Sequence, residues 1–438
     1  MKHELLPVTA SCSGGRLAIA GHDLGALARE FATPLYVYDG ETVRQDLAAL
    51  RQALAAAYPG PTEITYAAKA YFAPRFASKL AALGLGVDVV SLGELRVAQR
   101  AGFSPEKIHL HGNNKSAAEL RAALELNLQA IVVDSLDELM FLESLARERQ
   151  HEGSPRPESC PKIWLRITPG LTVDTHAYRQ TGHHTTKFGI PIADGQAAEA
   201  IRYARNSPHL NLVGLHTHLG SQVYEAGPYV EALQMLYALA RAENFTPLEL
   251  SPGGGWYVRY TSDAPDIPLN TWVQSVAAAV QAECDRSGIP LPRLVLEPGR
   301  WLAARAGVAL YTVGTCKNSG DGTRWVAVDG GMADNLRPAL YGARYTAIVP
   351  ERMEDPATER VNLVGKFCES GDFLIENTYL PPVARGDLLA LPASGAYHLS
   401  MASNYNLAER PAALWLEEGE IEVLQPHEDI LSAAWWNS

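Results

Sequence analysis

The side chains with most chemical potential in this sequence sit where short apolar runs end. EITYAAK (63–69) stops at Lys69. GVDVVS (86–91) carries Asp88 and closes on Ser91, and KIHLHG (107–112) carries His111, with Asn113 and Asn114 just beyond. QAIVVD (129–134) ends in Asp134, KIWLRI (162–167) holds Arg166, and NLVGLHTH (211–218) ends in His218. TPLELS (246–251) runs into Gly253, Gly254 and Gly255. RLVLEPG (293–299) carries Glu297 and Gly299, with Arg300 next. A lysine at the end of an apolar strand is expected to be partly desolvated and competent to form a Schiff base; an exposed loop lysine is the plainer alternative. A run of glycines offers bare backbone N–H groups to a phosphate, or is simply a tight turn. Glu297 could face a ring nitrogen, or pair with Arg300. A lysine and a phosphate loop in one pocket point to pyridoxal phosphate (PLP), anchored at both ends, with Glu297 keeping the pyridine nitrogen protonated.

The histidines admit a different chemistry. His216 and His218 form an HxH pair facing one side of a strand, which in barrel hydrolases can bind zinc. The sequence shows no further ligand cluster, so no metal is expected, and His218 is better placed to stack on a planar ring. His109 with His111, and the loop pair His183 and His184, read as structural or solvated.

Such residues need a scaffold that brings strand ends together. The eight runs alternate with amphipathic stretches such as SLGELRVAQRAG and SAAELRAALELN, a pattern of βα units around a parallel sheet. Eight units in about 250 residues fit a (β/α)8 barrel, whose active site lies at the C-terminal strand ends and whose last two loops often bind phosphate. The flanks differ. GVALYTVGTC, RWVAVDGG, RVNLVGKFC, DLLALPA and EIEVL, with LAIAG and LYVYDG near the start, are strand-like without long helices between them. The expected fold is therefore α/β: a (β/α)8 barrel over 40–304, plus a β-barrel or sandwich domain made from 1–39 and 305–438. SPRPESCP (154–161) reads as a surface loop.

Composition narrows the function classes. With 438 residues, 47% hydrophobic and 20% charged, the chain has ample material for a core and two or three domains. Its 37 Lys and Arg against 49 Asp and Glu give a net charge of −12, unsuited to nucleic acid or anionic membranes. No apolar stretch matches a membrane span or signal peptide. Five scattered cysteines (Cys12, Cys160, Cys284, Cys316, Cys368) with no CxxC pair fit a reducing cytoplasm, without disulfides or a zinc knuckle.

Taken together and in order, TPLYVYD, YAAKA, GVDVVSLGEL, HGNNKS, KFGI, HTHLGSQ, SPGGG, EPGR, ADNLRPALYGARY, CESGD and GAYHLSMASNYN resemble the fold type III PLP decarboxylases, most closely the branch that acts on diaminopimelate. The resemblance runs nearly end to end. It implies that Lys69 carries PLP, that His218 stacks on the ring and that Glu297 meets the pyridine nitrogen. Asp88, Ser221, Gly253, Gly254, Gly255, Gly299, Arg300 and Tyr397 would complete the cofactor site. Arg300, Arg337, Tyr341 and Tyr397 would hold the substrate, with Glu369 on its distal amino group. Cys368 and Glu369 would reach the site of a second subunit, making a homodimer, and Cys368, or else Lys69, would return a proton to the α-carbon. The other four cysteines are expected to be buried structural thiols.

The implied reaction is decarboxylation of meso-2,6-diaminopimelate to L-lysine, the last step of lysine biosynthesis; Arg337 and Tyr341 suit a substrate with a second carboxylate. Alternatives are a relative acting on D-ornithine, D-lysine, a carboxylated polyamine precursor or a carrier-bound amino acid, a PLP racemase, a zinc hydrolase using His216 and His218, and a non-catalytic PLP binder. Glu297 weighs against the racemase, because racemases of this fold favour an arginine there. His398, Trp256 and the His183–His184 pair depart from the family pattern.

Overall fold

Eight apolar runs become eight parallel strands. They are β1 (Thr62–Ala67), β2 (Gly86–Val89), β3 (Ile108–Leu110), β4 (Ala130–Val133), β5 (Lys162–Thr168), β6 (Asn211–His216), β7 (Glu249–Ser251) and β8 (Arg293–Leu296). The computed structural model describes residues 3–151, 160–171 and 186–432. His183 and His184 lie outside these, as does 154–159 of the expected surface loop. Each strand pairs in parallel with the next, and β8 returns to β1, with Leu296 opposite Ile64, so the sheet is a closed (β/α)8 barrel.

Local chemistry fixes where the helices begin and end. In Leu92–Ala101 the Ser91 hydroxyl accepts from the Glu94 amide, and Gly102 at φ 93° terminates the helix. Ala117–Leu126 opens on a capping box between Ser116 and Glu119. Each such cap is worth about 1 kcal/mol. The strands are apolar on both faces, as buried parallel strands are. Trp164 packs with Ala130, Val132, Val213 and Val295 in the barrel interior; truncating it to Ala would cost about 3–5 kcal/mol.

Residues 48–257 and 267–299 form this compact barrel unit; 1–47, 258–266 and 300–438 form a second. The second unit holds an eight-stranded sheet in which Leu35–Asp39 pairs antiparallel with Gly307–Asn318 and parallel with Ala412–Glu417. Gly307–Asn318 serves several neighbours. Its first half also pairs with Leu388–Leu391, and past a register shift between Val313 and Thr315 it pairs with Arg324–Val328. Leu17, Leu35, Val37, Val308, Leu310 and Leu414 are among its core residues. Two strands, Phe373–Leu380 and Ala412–Glu417, fall outside the expected set, because neither shows clean polar–apolar alternation. No helix among the described residues is long and apolar enough to cross a membrane.

Candidate active site

Lys69 is the middle residue of a single 3-10 turn, Ala68–Ala70, directly after β1. The turn buries both alanines and leaves Lys69 exposed, so the expected partial desolvation is not found. Gly299 passes close by: a Cβ there would lie 3.0 Å from Ala67 Cβ and 3.2 Å from Ala70 Cβ.

Asp88 on β2, His111 after β3, His216 at the end of β6 and Glu297 after β8 are all buried. Glu297 accepts from Ser251 Oγ at 2.6 Å on one oxygen, and its other oxygen lies 3.1 Å from His216 Nε2. His111 Nε2 is 3.5 Å from Asp88 Oδ1. Burial alone would raise Glu297, but the facing His216, then His111 and the Ser251 hydroxyl, outweigh it and hold the carboxyl well below its usual range. Asp88 goes the other way, pushed well up by burial and by Glu297, against the pull of Lys69. The two carboxyls are thus driven in opposite directions, Glu297 toward its charged form and Asp88 toward its neutral one. Burial, helped by the Lys69 charge, drops His218 well below the imidazole range; burial drops His111 likewise and His109 to about 4. These three rings are neutral near pH 7.

Among the described residues, His111, His216 and Glu297 present donor atoms within 4.8 Å of one another, a spacing that could hold a metal ion. The HxH pattern pairs His216 with His218; the structure instead turns His216 toward His111 and Glu297. Both Glu297 oxygens already engage protein groups, Ser251 and His216, while His111 Nε2 has no hydrogen-bond partner among the described residues.

The glycine run has a packing reason of its own. At Gly253, with φ 77°, a Cβ would sit 2.7 Å from His218 Nδ1, and at Gly254 one would sit 2.0 Å from the Glu297 carbonyl oxygen. The loop is pinned by Gly253 N donating to Ser251 Oγ at 3.0 Å and Glu297 N donating to Gly253 O at 3.2 Å. The Gly254 and Gly255 amides bond to no described residue. Tyr229 OH donates to Gly254 O at 2.8 Å, and the Trp256 ring packs 4.2 Å from Trp272. Trp256 thus braces the loop. Ser221 is half-buried in the loop after β6.

The remaining strand ends serve structure. Ser91 is a helix cap, and Asn113 and Asn114 are exposed. Asp134 accepts from Gly189 N at 2.9 Å and faces Arg166 at 3.7 Å, while Arg166 packs over Phe188 at 4.5 Å.

The second unit holds a cluster of a different kind. Arg300 Nη1 donates to Tyr260 OH at 2.8 Å, and its guanidinium lies 4.4 Å over the Tyr397 ring. Tyr397 itself has φ 61°. Arg337, only 1% exposed, donates to Tyr345 OH and lies 4.5 Å over Tyr260. His398 Nε2 is 2.7 Å from Tyr345 OH and its Nδ1 3.2 Å from Tyr36 OH, so this departure from the family pattern packs beneath the arginine's partner. Burial, then Arg337 and Arg300, keep His398 neutral by lowering it well below its usual range. Tyr36 and Tyr311 both donate to Asp334, at 3.0 and 2.5 Å; burial pushes Asp334 up to about 6 against those bonds. Tyr341 is half-buried at the end of helix Arg337–Tyr341.

Cys368 and Glu369 are exposed. Cys368 N donates to Asn406 Oδ1 at 3.0 Å, and Glu369 Oε1 accepts from Gly371 N at 3.3 Å. Of the four cysteines expected to be buried thiols, Cys284 alone is buried; Cys12 is exposed, and Cys160 and Cys316 are intermediate. Tyr260, Tyr345, Tyr36 and Ser251 escape the sequence reasoning. Tyr260 is within reach of it, five residues after Gly255.

Comparison with known proteins agrees with this geometry. The family described as "Pyridoxal-dependent decarboxylase, pyridoxal binding domain" matches residues 41–304. The diaminopimelate decarboxylase of Bacillus subtilis (strain 168) is 40% identical over 424 residues, covering 95% of this chain and 94% of its own. Among solved structures, the M. jannaschii diaminopimelate decarboxylase in complex with L-lysine superposes with a TM-score of 0.89 at 31% identity, covering 97% of this chain and 96% of that one. The Helicobacter pylori enzyme complexed with L-lysine gives 0.83 at 32%, covering 93% and 97%. The chain belongs to the pyridoxal-dependent decarboxylases and, within them, to the diaminopimelate decarboxylase family.

Proposed function

We propose that this protein decarboxylates meso-2,6-diaminopimelate to L-lysine and carbon dioxide, with PLP as its cofactor. The observation that carries the reading is Glu297: a buried carboxylate, held ionised, with no Lys or Arg at ion-pair distance among the described residues. A buried carboxylate faced by imidazoles but by no permanent cation is better satisfied when a cation arrives with the ligand. A protonated pyridine nitrogen is such a cation. The unbonded amides of Gly254 and Gly255 suit a phosphate in the same way. The residues present therefore fit the group.

When bound, PLP supplies the sink for the electron pair left on the α-carbon as carbon dioxide departs. The protein's own groups do the rest. Lys69 Nζ would hold the cofactor at its aldehyde carbon. Glu297 would keep the proton on the ring nitrogen and neutral His218 would face the ring, with Asp88 beside them. Ser221, Gly253, Gly254, Gly255, Gly299 and Arg300 would hold the phosphate end, and Tyr397 would contact the cofactor. Arg300, Arg337 and Tyr341 orient the distal carboxylate and Glu369 the distal ammonium. Cys368 Sγ, or else Lys69 Nζ, delivers a proton to the α-carbon. The barrel takes 40–304, and 1–39 together with 305–438 form the β-rich domain that contributes to the active site.

The working unit in this reading is a cytoplasmic homodimer with shared sites. Exposure of Cys368 and Glu369 supports it, since groups destined for a partner must be accessible on their own chain. Mixing Lys69→Ala with Cys368→Ala protein should then restore about a quarter of wild-type activity, because random re-pairing yields one intact site in half the dimers. No recovery despite demonstrated subunit exchange refutes shared sites. The reaction itself is tested by incubating protein, PLP and meso-2,6-diaminopimelate and measuring carbon dioxide and lysine. Turnover of D-ornithine or D-lysine with none of diaminopimelate overturns the substrate assignment.

A further inference from the structure

Three buried imidazoles inside the barrel take no part in the chemistry above, namely His109, His111 and His216. Of these, His216 is the one hydrogen-bonded to a group that does take part. Its ring is walled in. The His111 ring meets it edge-on at 5.0 Å, and the Trp164 indole lies nearly parallel to it, 18° between planes, at 6.5 Å. Trp164 is itself locked by its Nε1–H donating to Glu249 Oε2 at 2.8 Å, and the His109 ring packs against the same indole at 4.6 Å. The imidazole is therefore held in one orientation, with Nε2 aimed at Glu297 Oε2 at 3.1 Å. Its Nδ1 is buried and has no hydrogen-bond partner among the described residues.

That asymmetry fixes the donor. With a carboxylate before Nε2 and no acceptor before Nδ1 among the described residues, the hydrogen that makes the bond belongs on Nε2. Nε2–H donates to Oε2 while Ser251 Oγ–H donates to Oε1. Two donors from different strands, one on each oxygen, stop the carboxylate from rotating about its last bond. A single donor would leave it free to turn.

We infer that His216 is a positioning residue for the cofactor: by donating to Glu297 Oε2 it fixes the carboxylate as the acceptor that meets the pyridine nitrogen. The inference rests on the PLP reading above and adds a specific residue to it. Groups that orient a ligating side chain from behind are typically worth about 10- to 100-fold in affinity or activity.

The test separates orientation of Glu297 from general damage. Apo-protein is titrated with PLP and with its deaza analogue, in which the ring nitrogen is replaced by CH, and both Kd values are measured. Wild type should prefer PLP by about 10-fold or more, the worth of an added charge-assisted bond. In His216→Phe, which keeps an aromatic ring but no donor, that preference should fall toward one. In His216→Gln, which retains an N–H donor, it should largely return. A purely structural role would weaken both ligands alike and leave the ratio unchanged; an unchanged ratio in His216→Phe overturns the inference. If wild type binds the analogue as tightly as PLP, Glu297 does not contact the ring nitrogen and the inference also falls. If wild type binds PLP not at all, the PLP reading fails first. Should His216→Phe not fold, 15N-histidine NMR of the wild-type holoenzyme decides. The signal missing in His216→Gln should show a protonated Nε2 and bare Nδ1, and the opposite tautomer overturns the proposal.

Discussion

In the barrel, Glu297 is a buried carboxylate held by the His216 imidazole and the Ser251 hydroxyl; in the second unit, Arg337 is a buried cation held by a hydroxyl, Tyr345, and the Tyr260 ring. Among the described residues, no Lys or Arg lies within ion-pair distance of Glu297 and no Asp or Glu within that distance of Arg337. Elsewhere in the same molecule buried charges are matched internally, as Lys115 is by Glu138 at 2.7 Å. The contrast separates charges that serve stability from charges that await a ligand. Leaving a buried charge unmatched costs stability, and in the reading proposed above the sign of what is missing describes the ligand: a cation for Glu297, a carboxylate for Arg337.

That comparison makes graded predictions. Glu297→Gln, which keeps shape and removes charge, should lower kcat about 10^3-fold, the upper range for losing one preorganised electrostatic group, with little change in KM for diaminopimelate. Steady-state kinetics showing the loss in KM instead would break the comparison. Arg337→Met should do the converse, raising KM about 100-fold as a charge-assisted contact is lost while the Kd for PLP stays within about 2-fold. A large change in PLP affinity would mean Arg337 serves the cofactor. The smallest effect concerns stability. Asp334 titrates near 6 when folded and near 3.8 when unfolded. Between those values the folded chain keeps a proton that the unfolded chain has lost, so stability falls as pH rises through the window. Asp334→Asn, whose tyrosine partners can turn to satisfy an amide, should therefore gain on wild type by up to about 3 kcal/mol between pH 4 and 7. The difference in thermal midpoints measures it, and a constant difference refutes it.

The barrel is legible in the sequence because parallel strands buried on both faces are apolar-rich runs, as Ala130–Val133 is throughout, and the polar residues within or at the ends of the others are few. Their polar ends mark the pocket. What periodicity does not reveal is convergence. His111, His216 and Glu297 come from three strands that are not neighbours, and no spacing along the chain brings them within 4.8 Å. The arginine cluster is hidden for the same reason, drawing Tyr36, Tyr260, Tyr345 and His398 from separate chain segments. The exposure of Lys69 departs from expectation because the apolar pattern runs straight through it, where the chain bends into a 3-10 turn. The glycine triplet suggests a ligand from its composition alone, although the approach of the Glu297 carbonyl would demand glycine anyway.

An interior strand of the second unit, Leu35–Asp39, is flanked by Gly307–Asn318 and Ala412–Glu417. This has a consequence for synthesis on the ribosome. Leu35–Asp39 emerges among the first residues, yet its partners are translated last. At about 5–20 residues per second it waits on the order of tens of seconds. The barrel, complete by residue 299, can form in that interval, while an apolar strand with both edges unpaired stays open to other chains. Nascent-chain crowding or delayed release should therefore affect yield through this one early segment.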